Sequence, residues 1–172
     1  MVVVLYRDGV LKSKRRMKLG SDKHHMVFEG KGIGMILGLE LIREEEMAEG
    51  MVSIEIDNMA AISATHAIGS SPSHYIWDIF HQRVTMLCNK HQELDLLVKW
   101  TLGHMGISGN KKTDEEAKKA MREGSSAQNL LPAPLRRTLP RSKAAVKQEN
   151  LSWQLRKYGK PHQDTSIWNI WN

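Results

Sequence analysis

KWTLGHMGISGNKKTDEEAKKA, residues 99–120, sets a histidine, His104, in a glycine-bordered loop between a strand-like run and a helix-like run. Leu94, Leu96, Val98 and Trp100 alternate as a strand with one buried face. The loop runs from Thr101 to Gly109. An alanine-containing helix is predicted from Asn110 to Arg122, with Asp114 in its first turn. Glu115 with Lys119 and Asp114 with Lys118 stand at pairing distance on that helix. An acid at such a handover matters if other carboxylates from earlier in the chain meet it there.

Working back from this stretch, the chain alternates strands and helices. Residues 1–6 read as an apolar strand, and Asp8-Gly9 suits the positive φ angles of a type I′ hairpin turn. Val10 to Lys18 follows as the partly exposed return strand. Glu29 to Glu46 is helical, with Ile33, Ile36, Leu37 and Leu41 on one face. Gly30, Gly34 and Gly38 recur every fourth residue in it, which points to close packing of helix against sheet. Met51 to Ile56 is a short strand that ends at Asp57-Asn58, and a short helix follows near Met59–His66. Ser73 is placed to cap a second long amphipathic helix marked by Ile76, Ile79, Phe80, Val84 and Leu87. The order is β-β-α-β-α-α-β-α, an α/β domain over residues 1–124.

The remaining 48 residues, 125–172, differ in texture and charge. The chain carries a net +6, and the whole of it lies there: residues 1–124 hold 17 basic and 17 acidic side chains, residues 125–172 hold 8 and 2. LPAPLRRTLPRSK reads as an extended connector, Ala144 to Tyr158 as a basic helix, and SIWNIWN as too short for a core of its own. A basic linker and tail on a neutral body suits a polyanionic partner, or is simply solvated. The single cysteine, Cys88, leaves no disulfide framework and no cysteine zinc cluster, which points to a reducing, intracellular compartment. No leader pattern opens the chain, and the longest apolar run, Gly32 to Leu39, falls well short of the ~20 residues of a membrane span.

Three acids stand where elements meet: Glu29 at a helix start, Asp57 at the end of a strand, Asp114 at the start of the last helix. In α/β sheets ligands gather beyond the carboxyl ends of strands. Carboxylates clustered there need cations, and Mg²⁺ takes a few carboxylates together with water and phosphate oxygens. Each residue also has a plainer account. Asp114 complements a helix dipole and pairs with Lys118, Asp57 with Asn58 caps a helix, Glu29 is a surface acid, and His104 is a loop histidine.

FEGKGIGMILGLELI, VSIEIDNMAAI and VKWTLGHMGISGNKKTDEEAK together resemble the type 1 ribonuclease H family, in particular the domains found in fungal non-LTR retrotransposon polyproteins. The likeness spans roughly residues 1–124. It implies a ribonuclease H-like mixed sheet flanked by helices, and hydrolysis of the RNA strand of an RNA–DNA hybrid with two Mg²⁺ ions, Mn²⁺ serving as substitute. Glu29, Asp57 and Asp114 are implied as metal ligands, and His104 as the loop histidine that assists proton transfer or product release. Asn58 and Asn110 fall where the family touches nucleic acid or braces the loop. Recognition by groove shape and 2′-hydroxyls is implied, in the nucleus or cytoplasm, from a chain once part of a larger polyprotein.

One departure from the family pattern bears on activity. The family's first metal acid lies in an initial strand, in a motif like Tyr-x-Asp-Gly-Ser. LYRDGV does not supply it. Two strands should separate that acid from the helix glutamate, yet Asp8 and Glu29 lie 21 positions apart with one strand and a loop between them. Asp8-Gly9 is better placed as the turn between the family's second and third strands. The expectation is therefore a sheet lacking its first, central strand, with unpaired edges on two neighbours, and a site holding one ion or none. A non-catalytic nucleic-acid-binding remnant is the alternative function, and a chain without a stable fold is a third.

Overall fold

The computed structural model describes residues 1–20, 24–46, 48–66, 73–102, 115–119 and 122–158. They form a mixed α/β arrangement with two separate two-stranded sheets. Strands β1 (Val2–Arg7) and β2 (Val10–Arg16) make an antiparallel hairpin. Its turn has φ of +53° at Asp8 and +74° at Gly9, the doubly left-handed geometry that the Asp-Gly pair favours. A register shift between Leu5 and Tyr6 marks a bulge, and Met1 extends the ladder through its backbone bonds with Met17, at 2.7 and 2.8 Å.

Helix α1 (Val27–Glu44) is the centre of the molecule, with twelve of its eighteen residues buried. It packs on β1 and β2, on β3 (Gly50–Ile56), and on α3 (His74–Lys90). The glycines allow this. A methyl group at Gly30 or Gly34 would touch the Met1 side chain, and one at Gly38 would touch both Val3 and Ile54. Gly32 faces the other way, where a methyl group would come within 2.8 Å of Ile76 and 3.1 Å of Trp77. The four-residue glycine spacing thus does set helix against sheet. Glu40, buried in the middle of α1, is held by Arg43 at 2.6 Å and by Arg83 of α3 at 3.4 Å, so its burial leaves no lone charge.

Strand β3 pairs in parallel with β4 (Leu94–Trp100), Gly50 opposite Leu94 and Ile56 opposite Trp100. Parallel pairing needs a crossover, and α2 (Met59–Ala64) and α3 lie within it. Ile54, Ile56, Leu94, Ile33, Ile36, Ile76, Trp77 and Leu87 belong to one core cluster. Among the described residues β1 pairs only with β2 and β3 only with β4. Val3 and Ile54 nevertheless both lie against Gly38 of the same helix, so the two sheets flank one seam.

The segment after Gly124, expected as an extended connector, lies along the outer edge of the hairpin. Ser126 N–H donates to the Arg16 carbonyl at 2.8 Å, the Ser126 and Ser125 hydroxyls accept from Arg16 and Lys18 at 3.1 and 2.9 Å, and Arg15 Nε donates to the Leu130 carbonyl at 3.2 Å. Two short 3₁₀ turns, Gln128–Leu130 and Ala133–Leu135, follow, and Leu131, Leu135 and Leu139 enter the core. A basic helix, α4 (Lys143–Tyr158), is anchored at its start, where Ser142 N–H donates to the His24 carbonyl at 2.9 Å and Ala145 is buried. Residues 151–157 of α4 are exposed. No helix among the described residues is long and apolar enough to cross a membrane.

Candidate metal and nucleic-acid site

Glu29 enters through the start of α1. The residue before the helix, Met26, offers no oxygen to cap the free N–H groups, so the glutamate three positions on reaches back. Its Oε2 accepts from Met26 N–H at 3.0 Å, the reciprocal half of a capping box. Its Oε1 accepts from the Ser73 hydroxyl. Ser73 occupies the cap position of α3 with φ of +63°, yet its side chain serves Glu29 and not its own helix. Glu29 therefore ties the first turns of α1 and α3 together, and it is 0 % exposed.

The surroundings of Glu29 are polar but incompletely bonded. His25 Nδ1 stands 3.5 Å from Glu29 Oε2 and makes no hydrogen bond among the described residues. The Tyr75 hydroxyl is buried without a partner among the described residues, and burial, aided by the Glu29 charge, pushes its pKa up to about 12. Both effects disfavour the phenolate. Beside this corner His25, Met26 and Val27 line an open cleft of roughly 700 Å³, its far wall formed by Ala145, Ser152, Leu155 and Arg156 of α4.

Asp57 closes β3 and precedes Asn58, whose Oδ1 accepts from Ala61 N–H at 2.9 Å and caps α2. The capping account read from Asp57-Asn58 is thus carried by Asn58, which leaves the Asp57 carboxylate for another partner. That partner is Lys31: its ammonium donates to Asp57 Oδ1, with the side chains 27 % and 32 % exposed. Lys31 lies two residues after Glu29, roughly 200° around the α1 axis. The Lys31–Asp57 pair and the Glu29–Ser73 contact accordingly leave the helix on different flanks.

His104, Asn110 and Asp114 lie outside the described residues. The next helical residues, 115–119, are fixed by Glu116, whose buried Oε1 lies 2.9 Å from Lys14 of β2 and 3.1 Å from Lys119. The bond from Lys14 outweighs burial and, with Lys119, holds the Glu116 carboxyl down at about 2. Sequence spacing suggested Glu115 with Lys119, and no local pattern pointed to a lysine a hundred residues earlier in the chain. Ser73 and Lys31 were missed for a similar reason, since each acts on an acid of another element.

A divalent site can be tested on these contacts. Asp57 can reach a cation, because it ends its strand and its side chain is 32 % exposed, although Lys31 holds one of its oxygens. Glu29 as placed cannot, because both its oxygens are taken by donors in a closed corner. Among the described residues no three His, Cys, Asp or Glu side chains gather into one group. No protein-family model, curated protein or solved structure matches the chain.

Proposed function

We propose that this chain is a unit of the type 1 ribonuclease H class, of retroelement origin, that acts inside the cell on RNA paired to DNA. The observation that supports this best is the seam between the sheets. One further strand between β1 and β3 would join an antiparallel pair and a parallel pair into a single mixed sheet. That is the sheet implied by the resemblance of residues 28–42, 52–62 and 98–118. Asp57 ends the strand that borders the seam, where ligands of α/β sheets gather.

In this reading Asp57 is the acid that would hold a divalent ion, with Asp114 as the further carboxylate that the resemblance implies. A bound ion supplies Lewis-acid stabilisation of the scissile phosphate and a nucleophilic water. Asn58 fixes the α2 start beside Asp57, so the carboxylate has a defined place on a rigid element. Lys143 and Lys147 add positive charge on α4 for a phosphate backbone.

A non-catalytic nucleic-acid-binding remnant is the second reading. It is favoured by one specific arrangement: Glu29 spent on holding two helices and Asp57 already neutralised by Lys31. Incubating the full chain with a labelled RNA–DNA hybrid in Mg²⁺ or Mn²⁺ separates the two. Cleavage that disappears in Asp57→Asn supports the nuclease. Retention of the hybrid without cleavage, with affinity falling steeply as salt rises, supports the remnant. Neither cleavage nor retention removes both.

A further inference from the structure

The Lys31–Asp57 pair is unusual for a surface contact in where it sits. The ammonium is brought by α1, two residues past Glu29, to the one candidate carboxylate among the described residues that remains open to water. Asn58 has relieved Asp57 of capping, and among the described residues the carboxylate is held by this cation. We infer that Lys31 is a built-in counter-ion that occupies the cation position at Asp57 and that a divalent metal must displace. The inference rests on the proposal that Asp57 is a metal ligand.

The physical basis is direct. A carboxylate at the end of a strand is stabilised by a nearby positive charge, whether ammonium or metal. Lysine is a compact point charge on a flexible four-carbon stem, so it can swing away into water at modest cost. An arginine fork would be harder to remove. While the ammonium stays on Oδ1, an incoming divalent ion meets one fewer free oxygen and a like charge a few ångströms away. At that separation and in a water-exposed setting the repulsion weakens ion binding by roughly tenfold. Lys31 would therefore set the metal concentration at which the site loads, without itself touching nucleic acid.

Binding of Mn²⁺ alone to the full chain tests this, read from loss of the free-ion EPR signal, with far-UV circular dichroism as the check on folding. Lys31→Met and Lys31→Gln should each bind Mn²⁺ roughly tenfold tighter than the parent, while Lys31→Arg, which keeps the charge, should not gain. Lys31→Met combined with Asp57→Asn should lose the gain. Lys31→Gln puts an uncharged polar end on a shorter stem and carries the test if the methionine variant loses its far-UV signal. Equal Mn²⁺ affinity in the parent and both neutral variants, with loss in Asp57→Asn, would overturn the role of Lys31 and leave the metal reading of Asp57 standing. Absence of any Asp57-dependent Mn²⁺ binding across the series would overturn both.

Discussion

Replacing Glu29 by alanine distinguishes the two roles this residue can have, because they predict effects of opposite sign on stability. In the structure its carboxylate receives Met26 N–H at 3.0 Å and the Ser73 hydroxyl, in a corner closed to water. Loss of the side chain leaves both donors without an acceptor. Hydrogen bonds to a charged group contribute about 1.5–3 kcal/mol each, and a negative charge in the first helical turn adds about 0.3–1 kcal/mol. The desolvation cost of the buried carboxylate offsets part of this. The balance for Glu29→Ala is a loss of about 2–4 kcal/mol, or a fall in Tm of roughly 4–16 °C for a chain of this size. Glu29→Gln keeps one acceptor and the length, and should lose about half as much. Urea unfolding in EDTA is the assay, with an unchanged m-value as the sign that the denatured state is not altered. A glutamate kept chiefly to bind metal would behave otherwise: in EDTA it is a like-charge burden beside other acids, and its removal is neutral or stabilising. Glu29→Ala as stable as the parent in EDTA would refute the capping and tethering role.

Two glycines of α1 should respond differently to the same change. Gly32→Ala places a methyl group 2.8 Å from Ile76 and 3.1 Å from Trp77, both buried; overpacking of about 1–3 kcal/mol exceeds the ~1 kcal/mol gain in helix propensity, so thermal denaturation should show a net loss. Gly34→Ala meets the unbranched Met1 side chain, Sδ at 3.0 Å and Cγ at 3.2 Å, which can turn aside, and should be neutral or stabilising by up to ~1 kcal/mol in the same scan. Glu116, held down at about 2, gives stability that is present above the ordinary carboxylate range and is lost as pH falls from about 4.5 towards 2. Lys14→Met should reduce stability at neutral pH by about 1 kcal/mol, since both lysines keep nearly half their side-chain surface in water, and should flatten that acid limb in a pH series of urea midpoints.

The sequence alone determined the features that are settled within a few residues. Asp8-Gly9 made the hairpin turn because an aspartate and a glycine tolerate positive φ in succession. The glycine spacing on α1 told of close packing, and Asn58 was legible as a cap. The alternation of Leu94, Leu96 and Val98 told of a half-buried strand, but Trp100, expected on the same buried face, is 49 % exposed at the strand's end. The resemblance to ribonuclease H rests on the same local stretches, and it singled out Glu29 and Asp57 without fixing where their side chains point.

Only the tertiary structure decided the partners. Glu29 reads as a surface acid from its neighbours, yet it is buried, with a hydroxyl brought to it by Ser73, 44 positions on. Lys31 reaches Asp57 because the helix turns about 100° per residue, and the sheet happens to stand on the flank that the lysine occupies and the glutamate does not. Leu131, Leu135 and Leu139 looked like part of a proline-rich connector, and they are core because the outer edge of β2 accepted the chain. The difference is one of range: dihedral preference and periodicity are written into a short window, whereas the partner of a charge or a strand edge is set by which surfaces the packing of α1 brings face to face.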